Sequence, residues 1–216
     1  MDRRQRGRFI TLEGGEGGGK STQARRLAAW LEAAVGEVVL TREPGGSPGA
    51  EQIRGLLVDG DVRRWDPVSE ALLHCAARRD HLVTTILPAL TRGAWVVSDR
   101  FADSTMAYQG FGHGVDRSVL ADLYRFCAGT LKPDLTLVLD LPVAQGLARA
   151  AGRAAGGDRY ERMDRNFHER LRQGFLEIAR NEPERCVVID ATHDEDAVHA
   201  AIIDAVDAHL PVPSAS

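Results

Sequence analysis

The chain has 216 residues, 44% of them hydrophobic and 27% charged, enough for one α/β domain with a substantial core that needs no disulfide or metal staples. Its 27 basic and 31 acidic residues leave a formal net charge of -4, so it lacks the broad cationic field that a nucleic-acid polymer requires, although arginines cluster locally. Cys75, Cys127 and Cys186 are widely spaced and odd in number, which reads as reduced buried thiols; no apolar run is long enough to cross a membrane, and the expected compartment is the cytoplasm.

The N-terminal MDRRQRGR is basic like the start of a signal peptide, but the apolar run that follows, Phe9 to Leu12, is too short and ends in glycines. Residues 1–6 and 211–216 are expected to fray. From Phe9 to Thr22 the sequence FITLEGGEGGGKST carries a strand, a glycine-rich turn and a helix start without interruption. Gly14, four residues and then Gly19-Lys20-Ser21 fit the pattern G-x-x-x-x-G-K-[ST], in which backbone N–H groups converge on phosphate oxygens. The expected phosphate cradle is Gly14, Gly15, Glu16, Gly17, Gly18, Gly19, Lys20, Ser21 and Thr22. Lys20 would meet the β and γ phosphates and Ser21 a Mg²⁺ ion, with a helix N-terminus aimed at the same anion. Lys20 and Lys132 are the only lysines in a chain whose other cations are arginine, so the lysine in the cradle reads as selected.

Thr22 to Ala34 spaces Ala24, Leu27, Ala28 and Leu31 along one helical face, and Gly36 ends it. Val38 to Thr41 is a short strand followed by Arg42-Glu43-Pro44-Gly45-Gly46, a turn beyond a strand's carboxyl end, where open α/β sheets bind ligands. Arg42 and Glu43 are therefore candidates for substrate or metal contacts. Ala50 to Val58 is a short helix carrying Arg54, and Pro67 to about Arg92 a longer one, with Pro88 as a point of bending. His74, Arg78 and His81 recur at spacings of four and three and so share one face of that helix.

Ala94 to Ser98 is the third strand, and Asp99-Arg100 falls at its end, where a carboxylate can hold Mg²⁺ and a guanidinium can fork a phosphate. Ser104, Thr105, Tyr108 and Gln109 then offer the hydroxyl, aromatic and amide groups that a heterocyclic base needs. Asp116 to Ala128 is amphipathic, with exposed parts suited to a dimer interface, and Leu135 to Leu141 is apolar enough for a central strand. Pro142 opens a helix that runs into Arg149, Arg153, Gly156, Gly157, Asp158 and Arg159, read as a mobile lid at about 149–160. Glu161 to Arg180 (helix), Cys186 to Ile189 (strand) and Asp194 to His209 (helix) complete the chain. Strands alternating with helices predict one domain, a five-stranded parallel sheet flanked by helices on both faces, and the glycine pattern makes it an α/β fold of the P-loop type.

The blocks FITLEGGEGGGKST, TREPGG, LLHCAARRDHL, VVSDRFADSTMAYQG and KPDLTLVLDLP, in this order, resemble the bacterial thymidylate (dTMP) kinases. The resemblance implies transfer of the γ-phosphoryl group of ATP, with Mg²⁺, to the 5′-phosphate of dTMP, in a homodimer; charge and hydropathy already speak against a nucleic-acid polymer or a membrane as partner. It places Glu16 near the deoxyribose 3′-hydroxyl and the dTMP phosphate on Arg100, helped by Arg42 or Arg54. Asp99 would help order the metal, Arg78 would read the thymine edge, and Thr105 and Tyr108 would line base and sugar with Gln109 nearby. Gly17 and Gly18 stand where the eukaryotic form carries an arginine, so the lid should supply the catalytic cation; Arg149, Arg153 and Arg159 are the candidates, Arg153 first. His74 stands where relatives commonly stack a phenylalanine on thymine, and as an imidazole it can titrate. Another P-loop nucleoside or nucleotide kinase is the alternative; a GTPase should carry N-K-x-D, and neither lysine lies in such a sequence.

Overall fold

A computed structural model describes residues 6–152, 159–210 and 212. Five strands, β1 (Phe9–Glu13), β2 (Val38–Arg42), β3 (Trp95–Asp99), β4 (Leu135–Asp140) and β5 (Cys186–Asp190), form one sheet in the order β2-β3-β1-β4-β5. Every pairing is parallel, as helical crossovers require. The helices are α1 (Lys20–Val35), α2 (Pro48–Val58), α3 (Pro67–His81), α4 (Leu87–Thr91), α5 (Ala102–Thr105), α6 (Arg117–Ala128), α7 (Val143–Ala151), α8 (Arg165–Asn181) and α9 (Glu195–His209).

All five residues of β1 are buried, and alternate side chains enter different cores because a strand points successive residues to opposite faces. Ile10 and Leu12 join Leu27 and Leu31 of α1 and Ile202 and Val206 of α9 on one face. Phe9 joins Leu82, Ile86 and Phe101 on the other, where Val138 of β4 packs with Phe167, Leu171 and Phe175. The register sets Leu12 beside Asp99, Arg42 beside Asp99 and Glu13 beside Val138, so the carboxyl ends of four adjacent strands meet along one edge. The site is built on that edge.

Four local features differ from the sequence expectation. Helix α1 starts at Lys20, capped by the left-handed backbone of Gly19 (φ 82°). The long helix from Pro67 carries a widened turn over Leu82–Ile86, in which the Leu87 N–H reaches Leu82 O, just ahead of Pro88 at the start of α4. A second widened segment, Met106–Gly112, continues α5 through a stretch without an expected helix. Helix α8 begins after Asp164, whose carboxylate accepts the Phe167 N–H at 2.8 Å, because Tyr160–Arg162 forms a separate 3₁₀ turn.

Arg6, expected to fray, pairs with Asp134 at 2.9 Å. Arg153 and the rest of 153–158 lie outside the described residues, as do 1–5, 211 and 213–216. Among the described residues no helix is long and apolar enough to cross a membrane.

Candidate active site

The loop from Gly14 to Gly19 joins β1 to α1 at the centre of the sheet. A Cβ on Gly14 would lie 2.4 Å from Leu139 O, and one on Gly17 2.1 Å from Gly146 O; both residues also have positive φ, so only glycine lets the loop close on its neighbours. No side chain caps the first turn of α1, which leaves its N–H groups for an anion. Lys20 is buried and donates through Nζ to Gly15 O at 2.5 Å. Burial first, then Arg100, pull its pKa down to about 8.

At the tip of β3, Ser21 Oγ donates to Asp99 Oδ2 at 2.5 Å. These are hard oxygen donors beside a phosphate cradle, and they fit a Mg²⁺ ion shared with phosphate oxygens. Arg100 follows with φ 70°, a left-handed backbone rare for a side chain of its size, locked by its N–H on Leu12 O at 2.9 Å. That backbone turns the guanidinium back over the loop, where Nη1 donates to Gly14 O at 3.0 Å and Ser104 Oγ at 3.1 Å, and Nη2 to Glu16 Oε1 at 3.0 Å. Tyr108 places its ring under the same guanidinium, 5.1 Å away, and its hydroxyl on Glu16. Burial raises the Glu16 pKa, but Arg100, Lys20 and the Tyr108 hydroxyl together bring it down to about 2, so it stays ionised.

Sequence reasoning missed Glu13. Fully buried at the end of β1, it accepts the Phe101 N–H at 2.8 Å and the Ser104 hydroxyl at 2.6 Å, which fixes the turn carrying Arg100. Burial and the neighbouring Asp103 push its pKa up to about 7.

At the other end, Arg78 is buried, with Nε on Glu43 Oε2 at 2.8 Å and Nη2 on Phe101 O at 3.1 Å and Thr105 Oγ1 at 2.9 Å. Glu43, expected to meet substrate or metal, lines the cleft and holds Arg78 and His81, whose Nδ1 is 3.1 Å from Oε1. His81 is fully buried, so the stripe of His74, Arg78 and His81 splits: two members line the cleft and the third anchors Glu43. His74 is half-buried, with Nε2 at 3.0 Å from the Tyr160 hydroxyl. Burial, then Arg78, Arg159 and Arg100, push its pKa down to about 3; it is neutral at physiological pH, and the expected titration does not arise.

Gln109 is fully buried, lines the cleft and donates to Glu70 Oε1 at 2.7 Å. Arg42 is exposed and donates through Nη2 to both carboxylate oxygens of Glu51 at 3.0 Å, and Arg54 donates to Pro44 O at 2.7 Å; both line the cleft. Arg159, expected in a lid, is fully buried and spent on Leu57 O, Val62 O and Glu70, so it is no cation for phosphate. Arg149 lies outside the cleft wall, donating to Ala191 O at 3.0 Å and Thr192 O at 3.3 Å.

One cleft of about 390 Å³ joins these pieces, a volume suited to a small ligand. Gly17, Gly19, Lys20, Ser21 and Thr22 line one end, His74, Arg78, Thr105 and Tyr108 the other, and Asp99 and Arg100 lie between them. Tyr160 and Glu161 complete the wall. They were missed because the glycines before them suggested a lid and the residues after them a helix; an aromatic residue between two charges, in a chain with three tyrosines, was the available signal.

The family model described as thymidylate kinase matches residues 12–202. The thymidylate kinase of Caulobacter vibrioides is 60% identical over 200 residues, covering 93% of this chain and 96% of that one, and that of Bradyrhizobium sp. (strain BTAi1) is 54% identical over 93% and 90%. The crystal structure of thymidylate kinase from Ehrlichia chaffeensis superposes with a TM-score of 0.77 at 36% identity, covering 93% of this chain and 98% of that one. A likeness that runs through sequence and fold over nearly the whole length, with the glycine loop, Lys20 and Arg100 lining one cleft, makes this chain a member of the thymidylate kinase family.

Proposed function

We propose that this thymidylate kinase seats dTMP with its phosphate on Arg100 and its base among His74, Arg78 and Thr105, while ATP lies over the glycine loop with its γ-phosphoryl group turned toward that phosphate. One observation carries the reading: Lys20 Nζ and Arg100 Nη1 rest on the carbonyls of consecutive residues, Gly15 and Gly14, within one cleft. Two phosphates held by those cations meet end to end.

The acceptor is already an ionised phosphate oxygen, so no side chain has to remove a proton, and catalysis is positioning plus charge stabilisation. Lys20, with three rotatable donors, follows the transferring group, and phosphate restores the proton affinity that burial removes. Arg100 grips the acceptor phosphate and is held ready by Glu16, which stays ionised and also faces the sugar. Ser21 and Asp99 would hold a Mg²⁺ ion, which would neutralise phosphate charge. Arg78 and Thr105, already hydrogen-bonded to each other, present donors to the thymine edge, and Tyr108 closes the sugar side against a 2′-hydroxyl. Arg42 and Arg54 support the acceptor end, and Arg153 is the lid cation for ATP, with Arg149 on the donor side. The active form is a cytoplasmic homodimer; free thiols at Cys75, Cys127 and Cys186 suit that compartment.

The test is a coupled ADP-release assay with ATP and Mg²⁺ against a panel of nucleoside monophosphates. dTMP should win by a wide margin, with dUMP poorer by about 1–3 kcal/mol for its missing methyl and dCMP by on the order of 10⁴-fold for its mismatched edge. Equal rates on all acceptors, or none on dTMP, would overturn the assignment.

A further inference from the structure

We propose that Tyr160, held by the buried Arg159–Glu70 pair, is a positioning residue that fixes the imidazole plane of His74 against the nucleobase; this rests on the reading that seats the base beside His74. Arg159 is spent entirely inside the protein. Its backbone N–H donates to Val58 O at 3.0 Å, Nε to Leu57 O at 3.0 Å, Nη1 to Val62 O at 3.3 Å and Nη2 to Glu70. Glu70, also buried, takes Gln109 Nε2 at 2.7 Å on its other side. The end of α2, the start of α3 and the segment Met106–Gly112 are thus tied to one guanidinium.

The next residue in the chain is Tyr160, with the Arg159 guanidinium 4.7 Å from its ring centroid and the Tyr108 ring edge-on at 5.2 Å and 82°. Its position is therefore set from behind by a buried ion pair and from the side by an aromatic wall. The hydroxyl, so placed, meets His74 Nε2 at 3.0 Å, with the two rings tilted at 41°. A phenyl ring at position 74 would be oriented by packing alone. An imidazole is smaller and its terminal torsion is broad, so a hydrogen bond to one ring nitrogen removes a freedom that packing leaves. Burial and Glu70 raise the Tyr160 phenol well above its usual range, and burial lowers His74 to about 3, so two uncharged rings face each other across the working pH range, with the hydroxyl also tied to Glu70 and Arg159. An uncharged, oriented ring is a stacking surface for a neutral base.

The experiment is steady-state kinetics on full-length Tyr160→Phe, His74→Phe and the double variant, varying dTMP at saturating ATP and Mg²⁺ and then the reverse. Tyr160→Phe should raise KM for dTMP about 3–10-fold, the size of one hydrogen bond, and leave KM for ATP within about twofold. In the His74→Phe background, where the hydroxyl has no ring nitrogen to hold, Tyr160→Phe should change KM for dTMP by less than about twofold. An equal effect in both backgrounds, or no effect in the first, would overturn the proposal. A change in KM for ATP instead of dTMP would bring down the seating of the base as well, so the two failures are distinguishable. Imidazole ¹⁵N spectra give a readout that survives any loss of activity: the His74 ring nitrogens should shift on Tyr160→Phe, and an unmoved pair would refute the contact.

Discussion

In the proposed reaction Lys20 and Arg100 do different work, although both are cations of one cleft. A guanidinium matches a phosphate as a planar fork, whereas an ammonium follows a moving charge as a point with rotatable donors. Lys20→Ala should therefore lower kcat by on the order of 10²–10³-fold, the scale of losing one preorganised donor, and change KM for ATP far less. Single-turnover rates check it, and normal turnover would remove Lys20 from the mechanism. Glu13 gives a second residue-scale prediction, in stability rather than rate. Its folded pKa, about 7, lies above its ordinary 4.5, so between those values the folded state holds the proton more tightly and stability falls as pH rises. At ~1.4 kcal/mol per pH unit the loss is on the order of 3 kcal/mol by pH 8. Glu13→Gln should make urea midpoints nearly equal at pH 5 and pH 8; an unchanged pH slope would show that the carboxyl titrates elsewhere. The glycine cradle, Lys20, Ser21, Asp99 and Arg100 were legible in sequence because their signal is local. Glu43, Gln109 and Arg159 were not: a polar residue near a turn reads alike whether it faces a ligand or a protein partner, and their partners lie 35, 39 and 89 positions away.

At the scale of elements, the strands were plain because buried parallel strands are short apolar runs, and helix faces were plain from their spacing. The breaks were hidden. Widened turns at Leu82–Ile86 and Met106–Gly112 leave little trace in composition, and the second lets Gly112 pass so close to α8 that a Cβ there would sit 2.5 Å from the Phe167 ring. Elements that meet around Arg159 depend on it more than any helix boundary does. Arg159→Met should cost about 3–5 kcal/mol, because it leaves Glu70 charged and buried without its partner. Adding Glu70→Gln should recover much of that loss, since an uncharged amide removes the unpaired charge and can still meet Gln109. Urea denaturation of the four proteins in this cycle decides it; additive losses would mean the pair is not coupled.

At the scale of the whole molecule, the strand order could not be read from the sequence, since alternation of strands and helices fixes a parallel sheet but not which strand lies in the middle. The order matters because it puts β1 between β3 and β4, and so sets the cradle beside Arg100. The outer surface raises a last question. Phe126 on α6 is 86% exposed, Val119 lies two turns earlier on the same face of that helix, and Val68 and Leu72 are exposed on α3, which packs against α6. Single exposed apolar residues are ordinary, but an aromatic ring left in water beside three aliphatic ones is the composition of an interface. If the chain is a homodimer, as proposed, and α3 and α6 form its contact, Phe126→Glu should convert the protein to a monomer at micromolar concentration in sedimentation velocity, because an interface of about 1,600 Å² does not tolerate an unpaired charge near its centre. The fold of each subunit should survive, since the ring supports nothing within its own chain. Helix α3 also carries His74 and Arg78, so the monomer should bind dTMP more weakly, with KM for ATP affected less. A variant that sediments as the parent does would show that the copies meet through another face or not at all.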